Sequence, residues 1–380
     1  MYPKVRFFLY CFLIIGLFCS CQPKDTFSWN AGLSGPKNYP SGAPFVEYFY
    51  QGKSIAGASS GTGADQGWGI TSGGYVGGDR YKPVPDSMAV KWVCSVDNLV
   101  YKGGFKLPRD KMLELFKRKV IDSYGNQNDY SVIVAGMAPG GNITLWMQGG
   151  YATTEIAKFK ILKGEEDQNI DDDYKKKDIK SWGNYLAYWK IHGIPYSVWE
   201  KGEKEYPYDI GFSSKDFTYG YHLTFITKEG SWFSLDKLNS FIPWEKNEIQ
   251  TKKAIEKKHK SPVQLNIQWY TDEENYKERQ WYDGKIVLPQ NFEDFLKTRL
   301  YSRLLISIEK DEHKDAVYGK LLLKGRNQEK EIMIFKLGKY DYKLEKQLSP
   351  EYVLPKDFVF PKWEGREPIE FPELDYWQEK

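Results

Sequence analysis

Cysteine is scarce in this chain of 380 residues: four in all, Cys11, Cys19, Cys21 and Cys94. Three of the four fall within the first 21 residues, so a fold built from the rest has one thiol and no disulfide framework. Cys94 lies in the alternating run Ala89-Val90-Lys91-Trp92-Val93-Cys94, which reads as a buried strand thiol and not a nucleophile. Histidine is equally rare. His192, His222, His259 and His313 lie far apart with no ligand spacing, so zinc is unsupported and no cofactor is expected. A charge surplus is missing too, with 54 Lys and Arg against 51 Asp and Glu, which argues against nucleic acid as a partner.

What is present begins with a leader. Lys4 and Arg6 precede an apolar run from Phe7 to Phe18, interrupted by Tyr10, Cys11 and Gly16. A bilayer-spanning helix needs about 20 apolar residues, so this run reads as a signal segment over residues 1–20. Leu17-Phe18-Cys19-Ser20-Cys21 places a small residue before a cysteine, the pattern of a lipobox, so Cys21 is the expected lipidation site. Three acyl chains on Cys21 would anchor the chain firmly in a lipid bilayer. Residues 21–28 then form a tether, in which Lys24-Asp25 reads as a solvated spacer or as a minimal surface-export signal.

Two stretches about 180 residues apart read alike. Val90-Lys91-Trp92 leads through Tyr101 and Leu107-Pro108 into Met112, Leu115, Phe116 and Val120; Ile267-Gln268-Trp269 leads through Tyr282 and Leu288-Pro289 into Phe292, Phe295, Leu296 and Leu300. Each spacing puts four apolar side chains on one helix face, with Asp110 and Asn291 as N-caps. Strand-like runs follow both helices, and Trp68-Gly69-Ile70-Thr71 is matched with Tyr221 to Phe225. The chain therefore reads as α+β, two tandem, related strand-rich units, each an antiparallel sheet with one inserted helix. The units are assigned to residues 29–162 and 181–347, with a charged linker at 163–180 and a Pro/aromatic extended tail at 348–380. The basic run Lys252 to Lys260 reads as an exposed helix or hairpin tip.

Motifs for chemistry are weak. Gly57-Ala58-Ser59-Ser60-Gly61 matches G-x-S-x-G, but Thr62-Gly63-Ala64-Asp65-Gln66-Gly67 cannot open the helix that a nucleophile elbow requires. Gly52-Lys53-Ser54 resembles the end of a P-loop, yet Glu47 stands where the first glycine belongs. Nothing singles out a carboxylate pair for glycoside hydrolysis. The 13 Trp could stack on sugars, although in a strand-rich fold aromatics more often fill the core.

Gly136-Met137-Ala138-Pro139-Gly140-Gly141 running into Trp146, and His192-Gly193-Ile194-Pro195-Tyr196 running into Trp199, add the most specific segments. With Tyr39-Pro40, Gly67-Trp68-Gly69, Ser72-Gly73-Gly74, Trp92 and Leu107-Pro108, the chain resembles the bacterial lipoprotein family called domain of unknown function 2931, well over residues 26–200 and more loosely over the second unit. The resemblance implies an outer-membrane lipoprotein, periplasm-facing or surface-exposed, and brings no established reaction. Proteobacterial members beside secretion-system lipases suggest periplasmic immunity against a protein effector. The expected role is non-catalytic binding, with an effector or an envelope glycan as partner. Trp68, Trp146, His192, Tyr196 and Trp199 are the candidate binding surface.

Overall fold

A computed structural model describes residues 25–71, 79–122, 125–166, 169–215, 218–237, 258–271, 280–311, 313–314, 316–341, 346–347 and 352–361. Cys21, the leader and Ser72-Gly73-Gly74 lie outside the described residues. The main elements of the first unit are β1 (Asn30–Ser34), β2 (Ser41–Tyr50), β3 (Lys53–Ser59), β4 (Ser87–Cys94) and β5 (Leu99–Lys106). Helix α1 (Arg109–Phe116) follows, then β6 (Val132–Ala138), β7 (Asn142–Gly149) and β8 (Ala152–Lys160). Helices α2 (Asp172–Lys176), α3 (Ile179–His192) and α4 (Tyr196–Lys201) come next. The second unit has β9 (Asp209–Ser214), β10 (Thr218–Thr227), β11 (Trp232–Lys237), β12 (Pro262–Thr271) and β13 (Trp281–Val287). It continues through α5 (Phe292–Lys297), β14 (Arg303–Asp311), β15 (Ala316–Lys324) and β16 (Glu329–Asp341), and β17 (Tyr352–Val353) closes the series.

The fold is α+β, and the strand order repeats. In the first unit the sheets run β8-β7-β6-β1 and β3-β2-β4-β5; in the second the same orders recur as β16-β15-β14-β9 and β11-β10-β12-β13. Within these halves the pairings are antiparallel except β1 with β6 and β9 with β14, which are parallel. The expectation of one antiparallel sheet per unit is thus refined to two four-stranded halves with one parallel pair. Each half-sheet faces a shared core, because alternate residues point inward: Met88, Val90, Trp92 and Cys94 of β4 are buried while Lys91 is exposed. Trp92 packs on Tyr101 with ring centroids 5.0 Å apart, and Trp269 on Tyr282 at 5.6 Å, each pair directly opposed across a hairpin.

The halves are joined differently. In the second unit, β16 outruns β15, and its end pairs with β13 through Tyr282 and Lys339 to make one continuous sheet. In the first, the shorter β8 meets β5 through Phe105 and Phe159, 4.8 Å apart. The register of the sequence likeness needs one correction. Residues 68–71 are not strand; the partner of β10 is β2, whose alternation around Val46 and Tyr48 matches Leu223 and Phe225.

Borders move as well. Thr26–Ser28 pairs with Tyr81–Pro83, Phe27 stacks on Phe116 at 4.9 Å, and Asp25 lies 3.5 Å from Lys117, so residues 25–28 of the expected tether pack on the first unit. The stretch 163–180 is no free linker: Glu165 exchanges two backbone hydrogen bonds with Val100. Lys177 is buried against Tyr174, Trp182 and Trp189 and donates to Asn98; burial pulls its pKa down to about 8. The border at 181 falls inside α3, whose Leu186, Tyr188 and Trp189 belong to the first unit's core, as does Trp199 of α4. Asp110 sits in the first turn of α1, after Pro108 as N-cap. Of the tail, β17 adds to β13, and Tyr352 and Leu354 pack with Ala187, Ile191 and Val287 in a small cluster bridging α3 to the second unit.

Candidate functional site

The five residues named from sequence do not form an exposed surface. Trp68, Trp146 and Trp199 are 4%, 7% and 1% exposed, and the first two meet edge to face at 4.9 Å. Trp199 donates Nε1 to the Glu229 carbonyl at 2.9 Å. His192 Nε2 bonds Gln264 Oε1 at 2.8 Å, across the two units, and burial lowers its pKa to about 4. Tyr196 donates to Asp97 Oδ1 at 2.7 Å. The structure therefore splits them: Trp68 and Trp146 side by side, Tyr196 and Trp199 on α4, and His192 at the end of α3. Burying these rings removes large apolar areas from water while their polar atoms find fixed partners.

Asp97, in the turn between β4 and β5, is the residue that sequence reasoning missed. Its Oδ2 accepts from the Gly140 N–H at 2.7 Å, the Tyr101 hydroxyl at 2.8 Å and the Cys94 thiol at 3.3 Å. The Ala-Pro-Gly-Gly and Gly-Ile-Pro-Tyr segments thus converge on one carboxylate. Gly140 and Gly141 have φ of +76° and +73°, and a Cβ on Gly141 would lie 2.1 Å from the Ile161 carbonyl oxygen. The arrangement locks a turn against α4 and burial holds the Cys94 thiol well above its usual pKa, so this cluster is structural.

A cleft of about 560 Å³ opens where the units meet. The turn between β10 and β11 docks into the first unit there: the Gly230 carbonyl accepts the N–H groups of Lys37 and Trp68, each at 2.9 Å. Gly230 has φ +80° and no room for a Cβ, which would come 2.8 Å from Pro36. Trp68, Trp146 and Trp232 wall the cleft, and Glu155, Glu203, Glu205, Glu229, Ser231 and Lys260 give it polarity. Lys260, expected at an exposed tip, is instead ion-paired with the buried Glu229. Burial works to lower its pKa, but Glu229, with Glu203 and Glu205, raises it above the usual lysine value. Glu203 accepts the Glu229 N–H at 3.1 Å; burial, then the Glu229 charge, push its pKa up to about 7. Of these nine lining residues, only Trp68 and Trp146 are binding candidates from the sequence; the others come from separate segments with no shared motif.

Weak motifs resolve into ordinary structure. Ser59 ends β3 with no helix after it, and Gln51 and Gly52, with φ +50° and +74°, form the two-residue turn of the β2–β3 hairpin. Among the described residues no group of three His, Cys, Asp or Glu is placed to hold a metal.

The fold and cleft define a strand-rich α+β protein whose first core takes in α3 and α4 and Ile226 of β10. Residues 20–197 match the family model described as Protein of unknown function (DUF2931), a span that ends within α4. No curated protein and no solved structure matches the chain.

Proposed function

We propose that this is a membrane-anchored bacterial lipoprotein that binds without catalysis, taking an envelope glycan in the cleft between its units. The observation that carries the reading is the cleft itself: concave, about 560 Å³, walled by indoles and edged by carboxylates. Binding sites for small ligands combine apolar walls with a few converging polar groups, and indole faces stack on sugar rings. A non-catalytic role is supported by the state of the two inner carboxylates: Glu229 is held by Lys260 and Glu203 by the docked turn. An immunity role against a protein effector finds less support, since the indoles sit inside a concavity and not on a flat face.

The test is tryptophan fluorescence of the full-length protein in detergent during titration with envelope saccharides. Saturable quenching or enhancement is the expected result, lost in Trp232→Ala. Saccharide turnover, or no response to any saccharide together with tight capture of a secreted protein, would overturn the reading.

A further inference from the structure

The charges of the cleft do not balance. Glu155 is answered by Lys158 at 3.2 Å and Glu229 by Lys260, whereas among the described residues Glu203 and Glu205 have no ion pair of their own. Glu203 lies against the docked turn, its Oε2 on the Glu229 N–H, and Glu205 is exposed at the mouth. The aromatic wall is open beside them. Trp232 is 36% exposed with its Nε1 spent on the Gln66 carbonyl, so the ring and not the N–H is available to a ligand. Gly67 lets that ring approach, because a Cβ there would lie 2.7 Å from Trp232. A region with surplus carboxylate next to aromatic faces attracts a cation that carries an apolar ring face, through ion pairing and cation–π contact together. The bilayer's anionic sugars and phosphates would be repelled by the same carboxylates.

We propose that the cleft is an amino-sugar site that takes a hexosamine as its free, protonated amine. The ammonium lies against the exposed Glu205, with Glu203 behind it, and the sugar ring against the exposed face of Trp232; this rests on the glycan reading given above. N-acetylation removes the charge and the donors that the carboxylates need.

The full-length protein in detergent is titrated with a glucosamine trimer, its N-acetylated counterpart and spermidine, followed by tryptophan fluorescence and calorimetry. The free-amine trimer is expected to bind at least about tenfold more tightly than the N-acetylated one, and Glu205→Gln to remove most of that difference without moving the unfolding midpoint. Equal affinity for the two trimers would overturn the amine assignment and leave the glycan reading standing. Spermidine binding as tightly as the glucosamine trimer would overturn the sugar part. No binding of either trimer would remove the glycan reading together with this one.

Discussion

Asp97 ties together four groups from three segments: the Cys94 thiol, the Tyr101 and Tyr196 hydroxyls and the Gly140 amide. Hydrogen bonds to a charged acceptor contribute about 1.5–3 kcal/mol each, though not additively. Asp97→Ala should therefore cost roughly 3 kcal/mol, read as a lower urea midpoint at unchanged slope; a shift below about 0.5 kcal/mol would contradict the role given to it. The two shifted groups near the unit boundary act in opposite directions. His192, depressed to about 4, adds stability that is full above its unfolded value near 6.5 and is lost as pH falls toward 4. Glu203, raised to about 7, adds stability that is full in acid and is lost as pH rises through 7. His192→Gln should flatten the acid side of the stability profile and Glu203→Gln the neutral side, checked by urea midpoints from pH 4 to 8. Unchanged profiles in both variants would refute these assignments. Asp97 left little trace in the sequence, because a lone acid in a turn carries no period or spacing, whereas the glycines it serves were conspicuous.

At the scale of elements, the β4–β5–α1 and β12–β13–α5 segments were readable because alternation, Leu-Pro and helix-face spacing agree in order. Residues 68–71 were misplaced for a physical reason: Trp68 packs edge to face on Trp146 from a loop, and its burial there mimics a strand residue. The acidic and basic run at 163–180 read as solvated, but aromatic faces and Asn98 make a buried place for Lys177 that composition does not reveal. The β10–β11 turn is the element on which the cleft depends. Gly230→Ala forces a Cβ into Pro36 and Lys37, so it should loosen the docked turn. The expected result is a drop of several degrees in Tm with faster hydrogen exchange at the amides of Lys37 and Trp68. Unaltered exchange at those two amides would show that the turn tolerates the change.

Across the whole molecule, the repeated strand order was legible only as a likeness, since the parallel β1–β6 and β9–β14 pairs join residues about 100 positions apart and no local pattern announces them. The cleft was illegible for the same reason, being assembled from Trp68, Glu203, Glu229 and Lys260 on separate segments. Anchoring is a property of this scale too. Cys21→Ala should abolish labelling by a palmitate analogue and release the protein from membranes; labelling that persists would refute lipidation at Cys21.

The pairing of Thr26–Ser28 with Tyr81–Pro83, and the contact of Asp25 with Lys117, leave only residues 22–24 between Cys21 and the folded body. Four chain steps reach at most about 14 Å when fully extended. A lipid on Cys21 would consequently work as a short leash, not a long cord. The end of the molecule that holds α1 would ride against the headgroups, and the protein would sample ligands in a thin layer at the bilayer surface. Inserting a flexible ten-residue spacer before Asp25 is expected to keep binding in detergent unchanged while altering access to membrane-bound ligand in vesicles.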